Sequence, residues 1–302
     1  MTATILMDRR RLLLGAALTG ACTCGGPALF AQTNEAEWAA EIRRIEAGVK
    51  GRLGVAVVDV ASGARYGYRA SERFPLCSTF KFLAAAALLV RVDAGKESLG
   101  RRVVFGEQDL VEYSPVTEKH TGGEGMTVAE LCAAAMTLSD NTAGNLILAS
   151  LGGPAAITAF ARSLGDAVTR LDRLETALNE ATPGDPRDTT TPASMAVNIE
   201  KLVLGEGLTP ESRKQLVAWL LANKTGDKRL RAKLPAGWRI GDKTGSGAHG
   251  TTNDAGVIWR DGGQPIVVAA YLTETAAPAD ERNAALAAVG ETLPALAGVS
   301  RL

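Results

Sequence analysis

Four short groups of residues in this 302-residue chain have the types and spacing for acyl-transfer chemistry. The first is Ser78-Thr79-Phe80-Lys81, which follows Pro75 and opens an apolar run. Residues three apart share one face of a helix, so Lys81 reaches Ser78. A serine hydroxyl is a poor nucleophile until a neighbouring base takes its proton. A lysine serves as that base when a desolvated, cation-rich pocket lowers its pKa. A helix N-terminus adds N–H donors that can hold an oxyanion. The second group is Ser139-Asp140-Asn141, with a hydroxyl that could pass a proton to a leaving nitrogen and an amide that could hold a substrate carbonyl. The third is Lys243-Thr244-Gly245-Ser246-Gly247 on a strand: a positive charge, two hydroxyls for a carboxylate, and a glycine that lets another backbone approach. The fourth is Glu175 with Asn179, at i and i+4 of a short helical turn. A carboxylate base and an orienting amide around one water are what hydrolysis of an ester intermediate needs. Each group alone also reads as plain structure: a helix cap with a solvated lysine, an N-cap, an edge strand, a polar helix surface.

Composition narrows the chemistry. The chain is 46% hydrophobic and 22% charged with a formal net charge of zero, ordinary for a globular protein of one large domain or two lobes. It has no basic stripe for nucleic acid. Two histidines, His120 and His249, and four cysteines are too few for a His- or Cys-rich metal site. A Ser-His-Asp triad would need one of those two histidines as base. In residues 1–31, Arg9-Arg10-Arg11 precede Leu12-Leu13-Leu14 and an apolar, small-residue stretch to Ala31. That is a basic n-region followed by an h-region, and it resembles a twin-arginine export signal. Cleavage after Ala31 is expected, with lipid attachment at Cys22 the weaker alternative. Gly25-Gly26-Pro27 leaves the stretch too short and broken to span a bilayer stably. Loss of Arg9, Arg10, Arg11 and Asp8 would leave a net charge of −2, and only Cys77 and Cys132 would remain.

The elements that must position these groups follow from patterning. Leu53–Val60 and Arg65–Arg69 read as strands around the turn Ala61-Ser62-Gly63. Thr79–Val92 reads as a long apolar helix ending near Gly95. Thr127-Val128-Ala129-Glu130 is a capping box opening a second helix. Asn145–Leu151, Pro154–Leu164, Pro192–Leu204 and Pro210–Ala222 read as helices, three of them with proline at the first position. Thr182–Pro192 reads as a long surface loop. Trp238–Lys243, Ala255–Trp259 and Pro265–Leu272 are strands, the last two joined by Asp261-Gly262-Gly263, and a helix covers Asp280–Gly290. Strands at both ends with helices between argue α+β: one sheet built from both termini and a helical lobe inserted. Residues 32–76 and 223–302 would form the sheet-containing lobe, and 77–222 the helical lobe with the Glu175 loop.

Together, in this order and on helix, interhelical turn and strand, the Ser78, Ser139 and Lys243 groups resemble the motifs of the penicillin-recognising serine enzymes. Arg173-Leu174-Glu175-Thr176-Ala177-Leu178-Asn179 resembles the loop of class A β-lactamases, which transpeptidases lack. Phe74-Pro75-Leu76, Val111 to His120, and Gly250 to Asp254 are also similar to family segments, so the resemblance covers nearly all of the mature chain. It implies a three-layer α/β/α arrangement: a five-stranded antiparallel sheet flanked by helices, an all-α lobe beside it, and the site between. It implies hydrolysis of penicillins and cephalosporins through an acyl-enzyme on Ser78, giving antibiotic resistance. Lys81, or Glu175 through water, is the acylation base, a choice left open. The N–H groups of Ser78 and Ser246 hold the oxyanion. Ser139 protonates the ring nitrogen beside Lys243, and Glu175 with Asn179 activates the deacylating water. Asn141, Thr244 and Ser246 bind substrate, Tyr113 walls the entrance, and an Arg173–Asp188 salt bridge clamps the loop. His120 is structural and His249 a solvated rim residue.

The resemblance implies no metal or cofactor, a small-molecule β-lactam as the partner, no nucleic acid, no stable membrane partner, a monomer, and a periplasmic or secreted location. The departures are specific. Thr252 and Asn283 stand where other members carry a carboxylate-binding arginine, leaving Arg229, whose plain alternative is a solvated charge beside Lys228 and Arg231. Gly247 stands where family carbapenemases place the cysteine that pairs with Cys77, and Ala85 where another subgroup pairs Cys132. Both cysteines are therefore expected free, carbapenem turnover weak at most, and Ser246 with Gly247 suggests activity on oxyimino-cephalosporins. A penicillin-binding D,D-peptidase, which Glu175 and Asn179 argue against, and a β-lactam-sensing domain, which would need a membrane segment after residue 31, are the alternatives.

Overall fold

In the computed structural model, residues 27–296 are described, with side chains from residue 35. The expected export signal lies outside them except for 27–31, the start of the first helix. That helix, α1 (Pro27–Val49), precedes β1 (Arg52–Asp59), β2 (Arg65–Tyr68) and the short β3 (Phe74–Pro75). A 3₁₀ turn, Cys77–Thr79, leads into α2 (Phe80–Asp93). The ribbon β4 (Arg102–Val103) and β5 (Met126–Thr127) follows, then α3 (Val128–Thr137), α4 (Asn141–Leu151) and α5 (Pro154–Ser163). Next come β6 (Thr189–Thr190), which pairs with β3, α6 (Pro192–Ile199) and α7 (Pro210–Leu221). The chain closes with β7 (Arg239–Ser246), β8 (Thr252–Trp259), β9 (Ile266–Thr273) and α8 (Ala279–Leu296).

The five long strands form one sheet in the order β2-β1-β9-β8-β7, with every neighbouring pair antiparallel. β1 pairs with β9, Val55 opposite Ala270 and Val57 opposite Val268, so both ends of the chain do build the sheet. Successive side chains alternate between faces, and both faces are covered. Leu53, Val55 and Val57 pack with Trp38 and Ile42 of α1 and Leu286 and Leu293 of α8. Ala56, Val58, Val257 and Tyr271 pack on the other side with Phe74, Phe82 and the helical part of the chain. The result is the expected α+β fold, a five-stranded antiparallel sheet between helical layers.

α2 is buried from Phe80 through Leu89 on every side. A helix apolar all round runs through the middle of a core, and this one carries Lys81 with it. Thr127 and Glu130 form the expected capping box on α3, and prolines open α5, α6 and α7. Among the described residues no single helix is long and apolar enough to cross a membrane.

Several boundaries differ from expectation. α1 was unforeseen, although Trp38, Ile42, Ile45 and Val49 recur at helical spacing and are buried. Charged residues between them dilute the pattern in a one-dimensional reading. β8 begins at Thr252 rather than Ala255, because Thr252, Asn253 and Asp254 are polar yet buried. α4 begins at Asn141, where Asp140 accepts from the Ala143 N–H at 2.8 Å. α8 continues past Gly290 to Leu296 through Pro294. Glu200–Leu204 winds as a π-helical turn.

Candidate active site

Ser78 sits in the buried turn before α2, immediately after Cys77, whose φ of +43° is unusual for a residue with a Cβ. Lys81, one turn on, donates to Ser78 Oγ at 2.8 Å, as the i, i+3 spacing requires. The same ammonium lies within 2.9 Å of the Ser139 carbonyl and 2.7 Å of Asn141 Oδ1. It pairs with Glu175 Oε1 at 2.8 Å. Ser78 Oγ also donates to that Glu175 oxygen at 3.1 Å. Nucleophile, lysine and carboxylate thus meet in a triangle. α4 approaches α2 closely enough that a Cβ on Gly144 would stand 2.8 Å from Lys81 Cε. Glycine there leaves space for the buried lysine stem. Lys81 is fully buried, and desolvation pulls its pKa below the ordinary lysine value, outweighing the attraction of Glu175.

The Ser139 group turns between α3 and α4. Ser139 has φ +61° and Tyr113 φ +62°. Non-glycine residues in this region store strain and gather where function holds them. Asn141 donates to the Glu112 carbonyl at 2.8 Å, which leaves its second amide N–H for a ligand. Tyr113 is 57% exposed at the cleft. Lys243 reaches across from β7 to donate to Ser139 Oγ at 3.0 Å. Burial, with Lys81 and Arg229 nearby, holds its pKa well below normal. β7 comes this close because Gly245 has no side chain: a Cβ there would stand 2.9 Å from the Leu76 carbonyl and 3.2 Å from Cys77 Cβ.

The Glu175 loop is clamped at its neck. Asp188 pairs with Arg173 Nε at 2.6 Å and accepts from the backbone N–H groups of Asp172 and Arg173. Asn145 of α4 bonds the Glu175 backbone on both sides, accepting from its N–H at 2.9 Å and donating to its carbonyl at 3.0 Å. Asn179 Nδ2 donates to Glu175 Oε2 at 2.5 Å, the expected i, i+4 pairing. Its Oδ1 is buried with no protein partner, an acceptor available to a water proton.

Arg229 is not a solvated charge. Its Nη1 donates to the carbonyls of Gly245 at 2.9 Å and Asn253 at 2.6 Å, its Nη2 to Ser246 Oγ at 2.7 Å, and its Nε to Asn283 at 3.1 Å. Burial lowers its pKa from the ordinary arginine value. Lys228 does lie at the surface, beside Asp280. Thr252 is buried and accepts from Arg282 at 3.1 Å. Behind β7, burial and the neighbouring Asp242 push Asp254 well above the usual carboxylate range. Cys77 and Cys132 are both free and buried, and burial raises both thiols. His120 and His249 are exposed.

A cleft of about 440 Å³ is lined by Ser78, Ser139, Asn141, Asn179, Thr244 and Ser246, with Tyr113, Thr176 and Arg229 at its sides. Every catalytic or substrate-binding residue assigned from sequence lies in this cleft or bonds directly to one that does. Two contributors escaped sequence reading. Asn145 looked like one more polar helix position, and Thr225, which lines the cleft, fell in a short connection without a motif. Spacing carried a signal only for Asn145, one turn beyond Asn141 on the same helix.

Residues 37–296 match the model of the β-lactamase enzyme family. β-Lactamase CTX-M-8 of Citrobacter amalonaticus is 47% identical over 288 residues, covering 94% of this chain and 98% of the relative. β-Lactamase FAR-1 of Nocardia farcinica is 54% identical over 250 residues, covering 82% and 79%. The solved structure of an ancestral class A β-lactamase superposes with a TM-score of 0.84 at 65% identity, covering 85% of this chain and 98% of its own. Sheet order, cleft and relatives agree, and the chain belongs to the class A serine β-lactamases.

Proposed function

We propose that this β-lactamase opens the lactam ring of penicillins and cephalosporins in two halves, each run by the residues gathered in the cleft. The observation that carries this is the meeting of Ser78 Oγ, Lys81 Nζ and Glu175 Oε1 within 3.1 Å of one another. In the first half Ser78 attacks the carbonyl carbon and loses its proton to the base beside it, Lys81 or Glu175. The N–H groups of Ser78 and Ser246 receive the oxyanion, and the close seating of β7 at Gly245 supports that pairing. The C–N bond breaks as Ser139, whose oxygen accepts from Lys243, gives its proton to the ring nitrogen, and the proton taken from Ser78 returns to Ser139. In the second half Glu175 takes a proton from water held with Asn179. That water attacks the ester, and the proton passes from Glu175 to Ser78 Oγ as the acyl group leaves. Asn141 turns its remaining N–H to the substrate side chain, and Tyr113 walls the entrance.

The cleft lies between a sheet-containing lobe, residues 32–76 and 223–302, and a helical lobe, residues 77–222. Residues 1–31 act as an export signal of the twin-arginine kind, placing a monomeric enzyme in the periplasm or medium. Ser246 and Gly247 extend the range to oxyimino-cephalosporins, and the unpaired Cys77 limits carbapenem turnover. Purified protein should hydrolyse a chromogenic cephalosporin with saturable kinetics and leave D-alanyl-D-alanine peptides intact. Stable acylation without turnover would favour the sensor, and peptide cleavage the D,D-peptidase.

The substrate carboxylate meets Lys243, Thr244 and Ser246, and Arg229 supplies charge from behind. Four of its five N–H groups are already bonded to protein, which leaves one Nη2 N–H and the Ser246 hydroxyl to pass its charge forward. Arg229→Ala should lower kcat/KM roughly 10- to 100-fold, the loss of about 1.5–3 kcal/mol for a charge-assisted contact. Lys228→Ala should do little. Equal, small effects in steady-state kinetics would remove Arg229 from the site.

A further inference from the structure

The hydroxyl network behind the carboxylate end of the cleft has a set proton direction. Asp242 of β7, fully buried, accepts from Arg231 Nη2 and from Asn223 Nδ2, both at 2.6 Å. This orients the Asn223 amide, nitrogen toward the carboxylate and oxygen away. Asn223 Oδ1 then accepts twice from Thr225, from its N–H at 3.0 Å and its hydroxyl at 2.7 Å. A threonine hydroxyl has one proton. With that proton on Asn223, the 2.5 Å contact between the Thr225 and Thr244 hydroxyls must be donated by Thr244. Thr244 therefore turns only lone pairs toward the cleft, where an anion would meet them. Ser246 is arranged the opposite way. Its oxygen accepts from Arg229 at 2.7 Å, and its proton is free to point at a ligand.

We propose that Thr225 is a positioning residue that gates recognition of the substrate carboxylate by holding the Thr244 proton away from it. The proposal rests on the hydrolase reading above. When a carboxylate arrives, Thr244 turns its proton to the anion. Thr225 must then turn its own proton to Thr244, since two lone-pair-bearing oxygens would otherwise face each other at that separation. Asn223 Oδ1 keeps only the Thr225 N–H. An anionic substrate therefore gives up one neutral hydrogen bond on binding, and a neutral one does not. Ser246, with its proton free, makes the first contact, and Thr244 joins after the turn.

Thr225→Val keeps the side-chain shape and removes the hydroxyl. KM for a cephalosporin with a free carboxylate should fall about three- to tenfold, the weight of one neutral hydrogen bond, with a smaller change in kcat. KM for the methyl ester of the same cephalosporin should not move, and Thr225→Ser should return the acid to the wild-type value. A merely structural role would shift melting temperature and both substrates alike. A raised KM for the acid, or parallel changes for acid and ester, would overturn the gate. Wild-type protein that turns over neither substrate would overturn the hydrolase reading, and the gate with it.

Discussion

Ser78→Ala is expected to abolish covalent labelling by penicillin and to lower kcat by roughly 10⁴- to 10⁶-fold, the scale seen when a nucleophile is removed from a site that acts as a unit. The expectation rests on geometry. Among the described residues Ser78 Oγ is the one hydroxyl oxygen that receives Lys81 and faces Glu175, at 2.8 and 3.1 Å. Ser139 lies nearby, but its oxygen receives Lys243 and only its carbonyl touches Lys81. Its hydroxyl meets neither Lys81 nor Glu175, the pair that faces Ser78. Intact-protein mass spectrometry after incubation with penicillin is the measurement. One adduct per chain in the variant would show that another residue is the nucleophile. Circular dichroism should show an unchanged fold, since the lost oxygen lies at the floor of the cleft and the turn around it is held by Leu76, Cys77 and Thr79.

Glu175→Ala should leave acylation measurable and slow deacylation by about 10²- to 10⁴-fold, the usual contribution of a positioned general base. An acyl-enzyme should then accumulate to one adduct per chain with a good penicillin. Asn145 holds the backbone of residue 175 from both sides whatever side chain it carries, so the loop should keep its path. Lys81 would lose its carboxylate partner. A buried lysine without an opposite charge favours its neutral form, so its pKa should fall further below the ordinary lysine value. That would raise the neutral amine fraction and allow it to act as base in the first half. If acylation falls as steeply as deacylation, Glu175 serves both steps. Free turnover with no adduct would remove it from the water-activating role.

Much of the site was readable because its parts are local. The contact of Ser78 with Lys81 is one helical turn, and that of Glu175 with Asn179 is another. The capping box at Thr127 and the prolines that open α5, α6 and α7 are matters of a few adjacent residues, so their helices could be placed within a turn. Where long-range burial decided, the reading fell short. The apolar stripe of α1 is diluted by the charged residues between its members, and the start of β8 is polar in sequence although Thr252, Asn253 and Asp254 are sealed inside by neighbours far along the chain. Arg229 stands in a run with Lys228 and Arg231, and only the family resemblance, not the run itself, set it apart from them. In the fold Lys228 is exposed, while Arg229 passes under the end of β7.

The sequence by itself determined which groups are present and which can act as neighbours within a turn of helix: a serine with its lysine, a carboxylate with its amide, a lysine strand with small residues. It also determined the α+β plan, since caps, prolines and hairpin turns are local instructions. Tertiary structure alone decided that Glu175 reaches Ser78 across 97 residues, and that Lys243 reaches Ser139 across 104. It decided that Lys81 is dry enough for its pKa to fall, and that the hydroxyls of Thr225 and Thr244 meet at the end of the cleft. These are properties of distance and desolvation. Neither exists along a chain, because both depend on which distant segments exclude water from the same few ångströms.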